Sequence, residues 1–228
     1  MKKIPDFSKF WATGYDDAFY GKGLLPYCMR KSHKLIEAKF DKNMKFNNVV
    51  EIGSGIGYHL DFVNHQYDTY TLTDINQKVI EKLNDKSFSE KIKIQKLESE
   101  ILPFSDNEFD RLIAVHVLEH IYHPEKALRE WSRVVKNEGI ISILLPCDPG
   151  IAWRLGRYIS SQHRAHKNGV NEWDLFVALE HVNSINGLMA MIRYFFEEKE
   201  EKFWPFFTKS MDMNLFYAVH IQNKKDEK

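Results

Sequence analysis

The stretch that decides the fold is Val-Val-Glu-Ile-Gly-Ser-Gly-Ile-Gly-Tyr-His, residues 49–59. Its first residues are apolar and β-branched around one glutamate, which is typical of a buried strand. Glycines follow at alternate positions, Gly53, Gly55 and Gly57, and residues 58–65 are predicted to begin a helix. Glycine adopts positive φ without penalty and lets a ligand approach the backbone closely. A strand, a glycine turn and a helix in this order form the ligand crevice of an open α/β sheet.

The spacing of these glycines separates two classes of nucleotide site. A dinucleotide fingerprint, G-x-G-x-x-G, would place its third glycine at position 58, which is Tyr58. The sequence instead reads E-x-G-x-G-x-G, with Glu51 inside the predicted strand. This pattern resembles the first motif of class I S-adenosylmethionine-dependent methyltransferases. The resemblance implies S-adenosyl-L-methionine as the cofactor and S-adenosyl-L-homocysteine as the product.

An acidic residue follows at the distance that a nucleoside site requires. The predicted strand Thr-Tyr-Thr-Leu-Thr-Asp ends at Asp74, 21 residues after Gly53. A carboxylate there can accept hydrogen bonds from both ribose hydroxyl groups. Asp74 could instead cap a helix that begins near Asn76, and dinucleotide sites share an acid at this place. Asp74 therefore indicates an adenosine ligand without selecting the class of enzyme.

The segment at residues 97–121 resembles the type-11 group of methyltransferases more specifically. In that group an acidic-small pair contacts the adenine ring, and Glu98 with Ser99 takes its place here, although the usual pair is Asp-Ala. Asp110 opens the fourth strand in this resemblance. The segment ends in Val-Leu-Glu-His, whose histidine, His120, is predicted to be structural.

The end of the fourth strand would deliver Val115 and His116 to the cofactor. A histidine near the transferred methyl group could act as a general base or could only pack against the ligands, and the sequence favours neither role. The resemblance assigns the following residues to cofactor binding: Glu51, Gly53, Ser54, Gly55, Gly57, Asp74, Ile75, Glu98, Ser99, Val115 and His116.

The rest of the chain alternates between helical and strand patterns. The predicted elements are a lead-in helix within 28–42, strands at 91–96, 112–115 and 140–145, a helix from Pro124 that Gly139 ends, a helix at 184–196 and two closing strands. Fully apolar strands are typical of a parallel sheet covered on both faces. The sequence therefore predicts an α/β fold, a Rossmann-like, doubly wound, seven-stranded and mostly parallel sheet with one antiparallel strand and helices on both faces.

Four parts are expected along the chain. They are an N-terminal aromatic arm or lid with the lead-in helix (1–47), the S-adenosylmethionine-binding core (48–146), an inserted substrate cap (147–180), and the last helix with a closing hairpin (181–228). Tyr15 and Tyr20 in the arm are predicted to form walls of the acceptor pocket. The alternative is that the arm only packs on the sheet.

Candidate acceptor contacts also lie in the inserted cap and directly after it. Arg154 is predicted to bind an anionic acceptor, such as a phosphorylated sugar, a polysaccharide precursor or a lipid headgroup. A helix on a membrane surface and a solvated amphipathic helix remain alternatives for this segment. His181 is predicted as a second candidate base or acceptor ligand, and Asn183 as an acceptor contact.

The sequence predicts no metal site. His163 and His166 are two histidines at close spacing, but no nearby set of cysteines or aspartates completes four ligands. A metal-dependent site of the catechol methyltransferase kind would need several carboxylates after the fourth and fifth strands, and Asp148 alone does not supply them.

Charge and composition limit the partners. Lysine plus arginine equals aspartate plus glutamate at 32 each, so no overall field favours nucleic acid. The start of the chain lacks the apolar run of a secretory signal, and no window is expected to reach the roughly 20 apolar residues of a spanning helix. We expect a cytoplasmic protein with a small-molecule acceptor and without integral membrane association, while peripheral membrane contact stays open.

The function expected from these features is methyl transfer by in-line displacement to an oxygen or nitrogen atom of a small molecule. DNA amino-methyltransferases carry an Asn/Asp-Pro-Pro-aromatic run after the fourth strand, where this chain has Ala-Val-His-Val at residues 114–117. The alternative from another class is a regulator or scaffold that binds S-adenosylmethionine without catalysis.

Overall fold

The computed structural model describes residues 3, 5, 21–97, 101–167 and 170–225. The strands are β1 Lys45–Ile52, β2 Gln66–Asp74, β3 Ile92–Lys96, β4 Phe109–Val115, β5 Val135–Pro146, β6 Lys199–Trp204 and β7 Phe216–Asn223. They form a seven-stranded sheet in the order β3-β2-β1-β4-β5-β7-β6. Strand β7 runs antiparallel to both of its neighbours, and the other pairings are parallel. The predicted fold class is confirmed.

Helical segments cover both faces of the sheet. They are α1 Leu24–Glu37, α2 Gln77–Asn84, α3 Pro124–Val134, α4 Ile151–Gly156, α5 Gln162–Lys167, α6 Trp173–Glu180 and α7 Ile185–Phe195, with 3₁₀ turns at Tyr58–Phe62 and Leu118–His120 and a π-helical turn at Arg157–Ser161. One core contains Trp131 of α3 and Leu188 of α7. The other contains Met29 and Ile36 of α1. The central strands are buried from both sides, which explains their continuous apolar sequence.

The order of the strands places a crevice beside the glycine turn. From β1 the chain continues to β2 and β3 on one side, whereas β4 pairs with β1 on the other side. In open α/β sheets, ligands bind outside the carboxyl ends of the strands where the order reverses. Residues after β1 and β4 therefore meet at one edge of the sheet.

Three predicted helix boundaries are wrong. The lead-in helix α1 begins at Leu24, before the expected residues 28–42, since Pro26 is tolerated in the first turn of a helix. Residues 58–65 form only the short 3₁₀ turn, because Val63 is extended and β2 begins at Gln66. Helix α3 ends at Val134 rather than at Gly139, since Val135 is extended and pairs with Phe109 as the first residue of β5. The β-branched side chain of Val135 favours this early start of the strand.

Other expectations at the C-terminal part are confirmed. The Ser184 side chain accepts a hydrogen bond from the Gly187 backbone N–H, so Ser184 is the N-cap of α7. Strands β6 and β7 form the closing antiparallel pair.

One stretch is long and apolar enough, by length and composition alone, to cross a membrane. This stretch is Trp173–Phe195, so the expectation that no window would meet this criterion is wrong. The structure divides it into α6 and α7, with residues 181–184 outside any helix.

Candidate active site

The glycine turn after β1 is stabilised by backbone hydrogen bonds. Gly53, Gly55 and Gly57 have φ values of 63°, 53° and 77°, the left-handed region that favours glycine. The Ser54 N–H donates to the Thr73 carbonyl oxygen at 2.7 Å, which connects the turn to β2. Each glycine is therefore required by backbone conformation as well as by the motif.

Asp74 connects the glycine turn to the end of β2. Its Oδ2 accepts a hydrogen bond from the Gly55 N–H at 3.1 Å, and its Oδ1 accepts one from the Asn76 N–H at 2.8 Å. Burial raises the pKa of Asp74, although these backbone donors oppose the rise. The N-cap of α2 is Asn76, whose side chain accepts from the Lys78 N–H, so the capping alternative for Asp74 is wrong.

A cavity of about 530 Å³ extends from this turn along the carboxyl ends of β1 and β4. The residues at its first side are Gly53, Ser54, Gly55 and Asp74, called the glycine end below. Four imidazoles, those of His33, His59, His116 and His120, also line it and are called the histidine end. The other lining residues are Glu51, Ile52, Ile56, Tyr58, Ile75, Asn76, Val79, Lys82, Leu97, Val115, Val117, Ile121, Tyr122 and Glu180.

His116 follows β4 directly and is held by α1. Its backbone has a φ of 56°. The Ser32 hydroxyl donates to the Met29 carbonyl oxygen at 2.8 Å, so the Ser32 Oγ accepts from the Nε2–H of His116 at 3.3 Å. The basic nitrogen of His116 is then Nδ1, which lies 3.8 Å from Oε1 of Glu119.

A buried ion pair holds two further histidines of the cavity. Glu37 accepts two hydrogen bonds from the Arg111 guanidinium, at 2.6 and 3.0 Å. The Nε2–H of His59 donates to Glu37 Oε1 at 3.0 Å, so His59 Nδ1 accepts from the Nδ1–H of His33 at 2.9 Å. Burial by itself would raise the pKa of Glu37, but the charge of Arg111 and the hydrogen bonds from His59 and Arg111 lower it to about 2. Burial lowers the pKa of His33 well below its usual value, and protonation of His59 or His116 would lower it further, so this imidazole is neutral at pH 7.

Residues 50–143 match the family model described as a methyltransferase domain, that of the type-11 group. The match spans the glycine turn, Asp74 and the strand that ends before His116. This segment is a type-11 methyltransferase domain. The cofactor of the methyltransferase domain is S-adenosylmethionine.

Two curated proteins are similar in sequence to part of the chain. An uncharacterised protein of Methanocaldococcus jannaschii is 30% identical over 151 residues, 64% of this chain and 61% of that protein. The ubiquinone/menaquinone biosynthesis C-methyltransferase of Ectopseudomonas mendocina is 34% identical over 83 residues, 35% of this chain and 32% of that protein. The matched regions thus span less than two thirds of the length of either relative.

A solved structure shares the fold of the chain. It is described as an S-adenosylmethionine-dependent methyltransferase of Methanococcus maripaludis and has a TM-score of 0.65 at 15% identity, covering 100% of this chain and 98% of that chain.

Most of the predicted cofactor residues line the cavity of the methyltransferase domain. These are Glu51, Gly53, Ser54, Gly55, Asp74, Ile75, Val115 and His116. Glu98, Ser99, Tyr15 and Tyr20 lie outside the described residues, so their assignments stay predictions.

Gly57 has a packing role in the turn. It is not among the residues that line the cavity. A Cβ built on it would lie 3.3 Å from Leu83 Cδ2 and 3.4 Å from Leu72 Cδ1. Its absence of a side chain lets α2 pack closely against the turn.

Glu51 is buried at the end of β1 and is held by a neighbouring strand. Its Oε2 accepts a hydrogen bond from the Tyr70 hydroxyl at 2.7 Å. Burial raises the pKa of Glu51. This hydrogen bond leaves the other carboxyl oxygen of Glu51 for a donor at the cavity.

The predicted acceptor residues lie in three different places. Arg154 is exposed and lines a separate hollow with Arg157 and Asp174. Its contact with an anionic acceptor stays a prediction. Asn183 donates from Nδ2 to the Ile121 carbonyl oxygen at 2.6 Å and is engaged with the backbone. His181 lies beside the histidine end, with its ring centre 5.0 Å from that of His120.

Sequence reasoning missed His33 and His59 and did not assign His120 and Glu180 to the cavity. His33 lies within the predicted lead-in helix, and His59 is the last residue of the glycine stretch at 49–59. The one available signal was the frequency of histidine, 10 in 228 residues, which does not indicate which of them meet.

Proposed function

We propose that the chain transfers the methyl group of S-adenosylmethionine to an oxygen or nitrogen atom of a small molecule. The observation that carries this proposal is one continuous cavity with a nucleoside-type glycine end and a polar histidine end. Its volume of about 530 Å³ lies within the range of small-molecule sites, roughly 300–1,000 Å³.

The residues of the glycine end fit the cofactor. A Cβ built on Gly55 would have no heavy atom of the described residues within 4 Å, so open space lies directly over this backbone. Asp74 holds a carboxylate beside that space, suited to the ribose hydroxyl groups. S-adenosylmethionine supplies a methyl group activated by its sulfonium, and the electrons of the broken carbon–sulfur bond remain on sulfur.

The residues of the histidine end position the acceptor and take its proton. A hydroxyl or amine acceptor gains the methyl group and loses one proton. The Nδ1 atom of His116 is suited to accept that proton, because Nε2–H is used by Ser32. Holding the acceptor atom in line at near-attack distance supplies on the order of 7–11 kcal/mol of the barrier reduction.

Methylation of carbon is the second candidate. It is supported by the similarity to a relative named as a C-methyltransferase. The polar lining of the histidine end favours acceptors with hydrogen-bonding groups, which an activated carbon nucleophile beside a hydroxyl group would also carry.

The deciding experiment incubates the full chain with S-adenosylmethionine that is ¹³C-labelled at the methyl group and with fractionated small-molecule extract. The chemical shift of the product methyl carbon distinguishes attachment to oxygen, nitrogen or carbon. We expect oxygen or nitrogen. Attachment to carbon would replace the first candidate by the second, and cofactor binding without transfer in any fraction would support the regulator or scaffold.

A further inference from the structure

Three potential metal ligands meet at the wall of the cavity. They are Glu119, His120 and His181, and one ligand atom of each lies within 4.8 Å of the others. Glu119 and His120 belong to the 3₁₀ turn after β4, and His181 follows the last residue of α6. Asn183 joins the two segments, since its backbone N–H donates to the Glu119 carbonyl oxygen at 3.2 Å.

Both imidazoles are oriented through Nδ1. The Nδ1–H of His181 donates to Oδ2 of Asp148 at 2.7 Å, and that of His120 donates to the Glu180 carbonyl oxygen at 2.7 Å. The Nε2 atom of each ring is thereby left as the lone-pair nitrogen. Metal-bound histidines in proteins have this arrangement, with the second nitrogen fixed by a carboxylate or carbonyl.

The third group is a buried carboxylate with an unused oxygen. Glu119 is only 2% exposed, and its Oε2 has no hydrogen-bond partner among the described residues. Its Oε1 lies 3.8 Å from His120 Nε2, close to the roughly 3.4 Å between two tetrahedral ligands about 2.1 Å from a zinc ion. A buried carboxylate with an unsatisfied oxygen needs a cation or donor.

We propose that Glu119, His120 and His181 bind one divalent transition-metal ion of the zinc type, with Asp148 as the positioning residue of His181. Two imidazoles and one carboxylate are a ligand set suited to Zn²⁺, and also to Co²⁺ as its substitute. No metal site was expected from the sequence, because the ligands at 119–120 and at 181 are far apart in the chain.

Such an ion would lie at the cavity wall, because its ligand His120 lines the cavity. Glu180, whose carbonyl oxygen orients His120, lines the cavity as well. Three protein ligands leave a coordination position for a further group. A hydroxyl acceptor at this position would be held next to His116 and would lose its proton more readily. This use of the ion rests on the proposed methyl transfer, whereas the binding of the ion does not.

The test titrates the metal-stripped full chain with Co²⁺, followed by visible absorption, and with Zn²⁺ by calorimetry. We expect one ion per chain and the absorption bands of a four- or five-coordinate Co²⁺ site. His120→Ala and His181→Ala should each weaken binding by more than the roughly 10–100-fold that removal of an outer hydrogen-bond partner costs. Asp148→Asn keeps the three ligands and should cost roughly 10–100-fold.

The matched control is His123→Ala, which removes an exposed histidine near the same turn and should leave metal affinity unchanged. Circular dichroism and S-adenosylmethionine affinity show whether each variant is folded. If a ligand variant unfolds, the wild-type Co²⁺ spectrum and Asp148→Asn still decide the question.

The proposal is overturned if the wild-type chain shows no stoichiometric Co²⁺ or Zn²⁺ binding, or if His120→Ala and His181→Ala bind as tightly as His123→Ala. Its failure is distinct from failure of the proposed function, because S-adenosylmethionine binding and methyl transfer are measured separately. A chain that binds the cofactor and transfers a methyl group but binds no metal retains only the proposed function.

Discussion

The glycine end and the histidine end of the cavity are built in different ways. The glycine end is shaped by backbone, with Gly53 and Gly55 at positive φ and Asp74 connecting them to β2. The histidine end is shaped by side chains, whose rings are held by buried carboxylates such as Glu37. The first is local in sequence, whereas the second combines residues from helix α1, both 3₁₀ turns and the end of β4.

The two ends should therefore respond differently to substitutions. A backbone-shaped site depends on glycine and is disturbed by any Cβ. A site shaped by buried ionic groups depends on partners, because removing one member leaves the other buried and uncompensated. The following substitutions test this contrast in order of decreasing effect.

The largest effect is expected from Glu37→Gln. The lowered pKa of Glu37, from 4.5 to about 2, means that its ionised form stabilises the fold above pH 4.5 and that this stability is lost as pH falls towards 2. The lowering corresponds to about 3 kcal/mol at pH 7. Urea unfolding at pH 7 should show this loss for Glu37→Gln, and the difference from wild type should decrease below about pH 4.5.

Glu200→Gln is the matched control for this prediction. The hydrogen bond from Lys202 and that from Lys39 lower the pKa of Glu200 to about 2 as well, but its side chain is 43% exposed. Solvent screening reduces the contribution of such a pair to about 0–1 kcal/mol. If Glu37→Gln and Glu200→Gln lose the same free energy of unfolding, burial does not determine how much an ion pair of the histidine end stabilises the fold.

Gly53→Ala should have the largest effect at the glycine end. The left-handed conformation costs a non-glycine residue about 1–2 kcal/mol. A Cβ would also lie 2.6 Å from Cγ2 of Val117, a side chain with restricted rotamers. We expect about 2–3 kcal/mol lower stability of the free protein, measured by urea unfolding. If Gly53→Ala is as stable as the wild-type chain, the turn can rearrange and is not fixed by its backbone.

Asp74→Asn should weaken S-adenosylmethionine binding by about tenfold or more, since hydrogen bonds to a charged group contribute about 1.5–3 kcal/mol. The amide keeps one oxygen for the Asn76 N–H but loses the negative charge beside the cavity. Calorimetry measures the change. Asp68→Asn is the control, because Asp68 lies near the opposite end of β2 in an exposed pair with Lys45, and it should bind the cofactor like wild type.

The same contrast explains what the sequence could predict. The sheet, the turn and Asp74 were predictable because apolar strand runs and glycine spacing are local signals. The boundary errors at residues 58–65 and at Gly139 arose where strand pairing overrode local helix signals. Propensity does not include such tertiary pairing.

The histidine end was not predictable, because no local pattern connects its members. His33, His59 and His120 line one cavity only after α1 packs on the sheet and the 3₁₀ turns form. The metal-type cluster was missed for the same reason, since His181 is brought to Glu119 by the segment that follows α6. Arg154 is the converse case. A basic residue in an amphipathic pattern suggested an acceptor contact, and because it is exposed and lies outside this cavity, that contact stays a prediction.

The smallest effect on the free protein is expected from Gly55→Ala, and it tests the comparison most directly. Its backbone also has positive φ, so the conformational penalty of about 1 kcal/mol applies. No heavy atom of the described residues lies within 4 Å of the added Cβ, so a clash in the free protein is not expected. If the cofactor occupies this space, its affinity should fall by more than the stability does, which calorimetry and urea unfolding of the same variant compare. A loss of stability with unchanged affinity would mean that the ligand does not contact the glycine backbone, and the glycine end would then be a structural turn instead of a binding surface.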